Sequence, residues 1–262
     1  MADILEEIVA YKRLEIEHFK KETAQVYLET RVEILKNARI ASMSESLRHS
    51  DTGIIAEFKR KSPSKGWINK EASAKIIPKS YELNGATALS ILTDSHFFGG
   101  SNVFVRSAQI AKVSLPILYK NFIIDEYQIY QAKISGASAI LLIAACLSKE
   151  ECKQFIQKAH ELELEVLLEM HTEEDTEYAE LGPDMYGINN RNLGTFETDI
   201  NNSIVLAERL PADGVKVSES GISSPETIRQ LKELGYQGFL IGETFMKEAD
   251  PGLALKNFIA QL

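Results

Sequence analysis

Eight short apolar runs recur along the chain, and each leads into a polar loop or a helix-compatible stretch. They are Ile54–Phe58, Ala88–Leu92, Ile117–Lys120, Ala139–Ile143, Glu165–Glu169, Met185–Asn189, Val215–Glu219 and Gly238–Ile241. Most are apolar at consecutive positions, which suits strands buried on both faces of a parallel sheet. Helical patterns fall between them, among them Glu126–Ser135, Ser148–Glu161, Ile200–Leu210 and Ser224–Leu234. Regular strand–helix alternation predicts an α/β fold with a parallel sheet, and eight units predict a (β/α)8 TIM barrel. A chain of 262 residues fits such a barrel as one domain, with a helical extension over 1–48 and the barrel over 49–262.

A faint internal repeat supports this reading. Gly85, Gly136, Gly182 and Gly235 each close a helical stretch just ahead of a strand. Glycine there supplies the left-handed turn that stops a helix. Their spacing of 51, 46 and 53 residues is about two βα units, so they mark every second helix-to-strand turn. Pro78 fits the opening turn of its helix, where a missing N–H costs little. In the extension, Ile4, Ile8, Tyr11, Leu14 and Phe19 recur at helical spacing, which predicts a helix capping the barrel.

Composition narrows the function. The balance of 29 Lys+Arg against 38 Asp+Glu gives a net charge of −9, which argues against nonspecific nucleic-acid binding but leaves room for a local cationic pocket. Cys146 and Cys152 form no disulfide framework and read as reduced thiols of a cytoplasmic protein. The acidic N-terminus carries no signal-peptide pattern, and no apolar run reaches the ~18 residues of a membrane span. The five histidines show no metal-ligand spacing, so no metal is expected.

Ionisable residues close the strands. Glu57 and Lys59 lie two apart at the end of the first and share a face there. Lys120 ends the third, where partial desolvation suits a lysine to proton transfer or Schiff-base chemistry. Glu169 ends the fifth, as a candidate acid or base. The sixth runs into Asn189-Asn190-Arg191-Asn192-Leu193, offering an amide and a guanidinium that can bind a carboxylate. Glu219-Ser220-Gly221 follow the seventh strand and Gly242-Glu243 the eighth, the usual location of a barrel phosphate site.

The strings carrying these residues are Glu57-Phe58-Lys59-Arg60-Lys61-Ser62-Pro63-Ser64, Phe97-Phe98-Gly99-Gly100-Ser101, Leu118-Tyr119-Lys120-Asn121-Phe122, Gly187–Leu193 and Ser218-Glu219-Ser220-Gly221-Ile222. In them, and in order over roughly residues 50–250, the chain resembles the indole-3-glycerol phosphate synthase family. The resemblance implies a small anionic substrate, 1-(2-carboxyphenylamino)-1-deoxyribulose 5-phosphate, a sugar phosphate bearing an anthranilate group. It implies ring closure with loss of CO₂ and then water, in tryptophan biosynthesis, with no cofactor. It says nothing of protein partners.

By the same resemblance, Lys120 is the general acid of ring closure. Lys59 lies near phosphate and sugar and serves as an acid in the dehydration. Glu169 and Glu57 are both candidates for the dehydration base. Asn189 orients a hydroxyl or carboxylate, and Glu219 holds a sugar hydroxyl or a lysine. Ser62 and Arg191 bind the anthranilate end, while Phe98, Phe122 and Leu142 wall its ring. Ser220, Gly221 and Gly242 hold phosphate, with Glu243 contributing its backbone and turning its carboxylate away. Asn121 and Asn192 stand where the family usually has Asp, and Glu243 where a small hydroxyl residue is common. Losing the Asp at 121 predicts a lowered Lys120, unless Glu57, Glu169 or Glu219 compensates.

Overall fold

In the computed structural model, which describes residues 4–35, 41–192 and 194–262, eight parallel strands close into a barrel. The strands are β1 (Ile54–Phe58), β2 (Ala88–Leu92), β3 (Ile117–Lys120), β4 (Ala139–Ile143), β5 (Glu165–Met170), β6 (Met185–Asn189), β7 (Val215–Glu219) and β8 (Tyr236–Ile241). Each pairs with its sequence neighbours, and β1 pairs with β8 to close the ring. The expected strands are all present; β5 runs one residue longer, and β8 starts two earlier. A two-stranded hairpin, Lys61–Ser62 with Gly66–Trp67, sits in the loop after β1. Residues 1–3 and 36–40 of the predicted extension, and Leu193 of the sixth-strand string, lie outside the described residues.

Alternation along each strand sorts the barrel into two cores. Ile55, Leu118, Leu141, Leu167, Val217 and Leu240 fill the interior. Their neighbours Ala56, Tyr119, Leu142, Leu168 and Ile241 face the surrounding helices. Both sets are buried, which is why the sequence shows unbroken apolar runs. Gly85, Gly136, Gly182 and Gly235 all take positive φ, between 74° and 97°, as the helix-stop reading requires. Pro78 sits in the first turn of helix Ile77–Leu83.

The extension serves both ends of the barrel. Helix α1 (Ile4–Glu22) lies over the C-terminal mouth, where Leu5 reaches the central cavity. Helix α2 (Gln25–Leu35) packs on helix Glu126–Ser135. Helix α3 (Met43–Arg48) plugs the opposite end with Met43 and Leu47, both fully buried among interior side chains. The buried stripe of α1 is Leu5, Ile8, Lys12 and Ile16. Leu14, expected on the apolar face, is 66% exposed instead. Helical spacing alone does not separate two overlapping stripes when one of them contains a lysine.

Candidate active site

Position along the strand decides which side chains reach the mouth. Residues two apart share a face, so the interior set Ile55–Glu57 continues to Lys59, Leu118 leads to Lys120, and Leu167 leads to Glu169. The same rule carries Met185 through Gly187 to Asn189, and Val217 to Glu219. Asn189 and Glu219 pair at one level of the ladder. Glu57, Lys59, Lys120, Glu169 and Asn189 line a cavity of about 370 Å³, while Glu219, 1% exposed, lies behind Lys120 and outside the lining.

At its base, Lys120 Nζ donates to Glu219 Oε2 and lies 3.3 Å from Glu169 Oε2. Asn189 Nδ2 donates to the other oxygen of Glu169 at 3.0 Å. Lys59 Nζ lies 2.7 Å from Glu57 Oε1. Two glycines make room for these carboxylates. A Cβ on Gly187 would come within 2.6 Å of Glu219 Oε1, and one on Gly242 within 2.4 Å of Glu57 Oε1.

Burial and charge set the proton positions. Burial works against the Lys120 ammonium, but Glu219, Glu169 and Glu57 outweigh it and raise its pKa above the ordinary lysine value. Burial pushes Glu169 upward, yet Lys120, His171 and the Asn189 amide bring it below the usual carboxylate range. Glu57 is likewise held low against burial by Lys59 and Lys120. Glu219 goes the other way: burial, joined by the nearby Glu169, pushes it up to about 8 despite Lys120. At neutral pH the cluster therefore presents a protonated lysine, two ionised carboxylates and one carboxyl still carrying its proton. The cavity lining carries four cations, Lys59, Lys120, Arg191 and Lys247, against three carboxylates, Glu57, Glu169 and Glu243, so the mouth is cationic in an acidic protein.

Phe98, Phe122 and Arg191 also line this cavity, and the two rings lie 5.9 Å apart at 34°. Ser62 sits beside it in an adjoining slot with Ile8, Phe98, Phe122 and Arg191. Its buried hydroxyl has no hydrogen-bond partner. The Arg191 backbone N–H donates to Asn189 Oδ1 at 3.0 Å, and its guanidinium donates to the Phe196 carbonyl at 2.9 Å. Ser220, Gly221, Gly242 and Glu243 line the far side. Ser220 and Gly221 are consecutive left-handed residues, with φ of 68° and 74°. Such a turn can aim successive N–H groups at an anion. The Glu243 carboxylate faces Lys65 at 3.9 Å.

Leu142 is a correction. It is fully buried in the outer core, facing the helices, and does not reach the cavity. Leu141 and Ile143, on the opposite face of β4, line it instead. The alternation that places Glu169 inside could have found them. Two other lining groups were missed. Thr198 packs against Gly221, and a Cβ there would lie 3.2 Å from it. Leu5 and Ile8 come from the extension, and no motif marks them. His171, in a rim loop from which it could approach a ligand, is half-buried with Nε2 3.3 Å from Glu169 Oε1. Among the described residues no group of three His, Cys, Asp or Glu is placed to hold a metal ion. No described helix is long and apolar enough to cross a membrane.

A closed parallel barrel with ionisable groups at its C-terminal mouth defines the (β/α)8-barrel class of enzymes. Solved structures agree on the fold. A 3-hexulose-6-phosphate synthase from Salmonella typhimurium superposes with a TM-score of 0.62 at 14% identity, over 80% of this chain and 99% of that one. A chain of the tryptophan synthase α2β2 complex from Pyrococcus furiosus gives 0.60 at 16%, over 81% and 98%. Sequence goes further. The pattern of the indole-3-glycerol phosphate synthase family matches residues 5–258. The synthase of that name from Bacteroides thetaiotaomicron is 55% identical over 99% of this chain and 98% of its own length. The one from Polaromonas sp. is 40% identical over 97% of each. The chain belongs to the indole-3-glycerol phosphate synthase family, carboxy-lyases of tryptophan biosynthesis.

Proposed function

We propose that this mouth converts 1-(2-carboxyphenylamino)-1-deoxyribulose 5-phosphate to indole-3-glycerol phosphate, with Lys120 as the acid of ring closure. The observation that carries the reading is the Lys120 ammonium held between Glu219 and Glu169 at the base of a cavity walled by Phe98 and Phe122. The substrate has three handles, and the cavity offers a matching surface to each. Phosphate goes to the Ser220–Gly221 turn and the Gly242–Glu243 backbone, with Lys59 above. The anthranilate ring goes between the two phenylalanines, its carboxylate toward Arg191 and Ser62. The ketose oxygen then lies toward Lys120.

Ring closure joins the carboxylate-bearing aromatic carbon to the ketose carbon while Lys120 gives its proton to the ketose oxygen. Loss of CO₂ returns the bonding electrons to the ring. Dehydration then removes a proton and expels the new hydroxyl as water. Glu169 is the base for that step, because it is ionised, fixed by Asn189 and open to the cavity. Glu57 is engaged by Lys59 at 2.7 Å, and Lys59 is the acid for the departing hydroxyl. Glu219 holds Lys120 in place. The acidic chain and its small cationic pocket suit a cytoplasmic enzyme acting on a metabolite and not on nucleic acid. Mixing purified protein with this substrate should produce indole fluorescence at a rate proportional to enzyme. No fluorescence from folded protein would overturn the assignment.

A further inference from the structure

We propose that Lys12 is a positioning residue: through Asp94 it locks the roof of the aromatic slot to its wall, and so governs binding of the substrate's ring without touching substrate. This rests on the assignment of that slot to the anthranilate end.

Lys12 is 1% exposed and Asp94 not at all, and Nζ lies 2.7 Å from Asp94 Oδ2. Lysine is almost never buried this fully unless paired. Glu15 completes the site at 2.5 Å from the same ammonium, and its other oxygen accepts from Ser95 Oγ at 3.0 Å. Each half of the pair leads to the slot. Lys12 shares its helix face with Ile8 and Leu5, one and two turns back, and both line the slot. Asp94 Oδ1 accepts from the backbone N–H groups of Phe97 at 2.7 Å and Phe98 at 3.0 Å. Those bonds fix the backbone from which the Phe98 ring faces Phe122.

Further contacts brace the junction. Tyr11 stacks on His96 with ring centroids 4.2 Å apart, and Lys61 Nζ donates to the His96 carbonyl at 2.9 Å. Helix α1, the loop after β1 and the loop after β2 therefore meet around residues 94–98. Removing the central ion pair frees roof and wall to move independently. Among the described residues, none of these contacts involves β7 or β8, which carry the phosphate side of the mouth.

The test compares Lys12→Met, Asp94→Asn and the double variant with wild type. Asp94→Asn keeps the oxygen that Phe97 and Phe98 use, and so separates loss of the strap from collapse of the loop. Each single variant should raise KM about tenfold while kcat falls less than threefold. Affinity for inorganic phosphate should stay within about twofold, and amide exchange across residues 94–101 should quicken. The double variant should be no worse than the weaker single one, because the two residues act through one contact. An unchanged KM in folded Asp94→Asn would overturn the proposal, as would a matching loss of phosphate affinity or additive effects in the double variant. A wild type that never turns over the substrate would sink the functional assignment alone. The exchange measurement would still decide whether Lys12 holds the loop.

Discussion

Strand β5 carries two glutamates on one face, four residues apart, and they do opposite things. Glu165 lies at the floor of the barrel and Glu169 at its mouth. Glu165 accepts from the Ser42 and Ser44 hydroxyls, both at 2.6 Å, and from the backbone N–H groups of Met43 at 2.5 Å and Ser44 at 3.1 Å. It closes the N-terminus of α3, where a helix has free donors and favours negative charge. Every partner is a fixed neutral dipole, so the carboxylate has nothing to exchange. Glu169 faces a lysine, a histidine and one amide, and its surroundings open onto a cavity. Residue type and strand face are alike. The partners alone separate a cap from a candidate base.

The largest effect expected at the mouth is from Lys120→Met. Turnover should fall about 100-fold or more, the usual scale for a positioned general acid, with substrate binding affected less. Near-normal kcat in a variant whose circular dichroism matches wild type would remove Lys120 from its role. At the floor, Glu165→Ala should do the reverse. Four donors lose their acceptor, so unfolding in urea should show a loss of about 1–2 kcal/mol, typical of a lost helix cap. Its kcat should remain near the wild-type value. A large fall in kcat with unchanged stability would mean that floor and mouth are not separate regions.

The mouth and the floor were not equally legible in sequence. Ionisable residues ending apolar runs revealed Glu57, Lys120, Glu169 and Glu219, because a charge there needs a reason. The floor gave no such sign: Glu165 is an acidic residue at a strand start, and its partners belong to α3. Leu142 was misplaced because all five residues of β4 are buried and no polar residue marks which face is inside. Leu14 was misplaced because the real stripe of α1 contains Lys12, whose partner Asp94 is distant in sequence. His171 beside Glu169 depends on how a loop returns over the mouth, which periodicity does not encode.

Glu219 offers a sharper test within the mouth. Its pKa is raised to about 8, so its proton is kept through neutral pH and lost as pH rises through that value. Ionisation places a new negative charge beside Lys120, just behind the cavity proposed to take an anionic substrate. kcat/KM should therefore decline on the alkaline side with a midpoint near 8. A folded-state pKa above the ordinary carboxyl value also means that stability is lost as pH rises toward 8. Glu219→Gln is neutral at every pH, so the alkaline limb should move upward and the stability profile should flatten. An alkaline limb at the same pH in both proteins would assign it to another group.

The smallest effect expected is at Asn121. A carboxylate next to an ammonium raises the pKa of that ammonium, so the neutral amide on its own would leave Lys120 lower. The geometry limits this influence. Asn121 Nδ2 donates to Thr93 Oγ1 at 2.8 Å, and Oδ1 accepts from the Phe122 N–H at 2.9 Å. The side chain is thus committed to neighbours other than Lys120. Glu219, Glu169 and Glu57 already raise the lysine. Asn121→Asp should still move the alkaline limb of turnover to higher pH, since it adds negative charge near the mouth. The move should be smaller than that produced by Glu219→Gln, because residue 121 acts from outside the ion-pair cluster. Turnover against pH for the two variants, side by side with wild type, measures the ranking. A limb that stays put or moves to lower pH in Asn121→Asp would show that residue 121 does not tune Lys120, and a move farther than in Glu219→Gln would overturn the ranking.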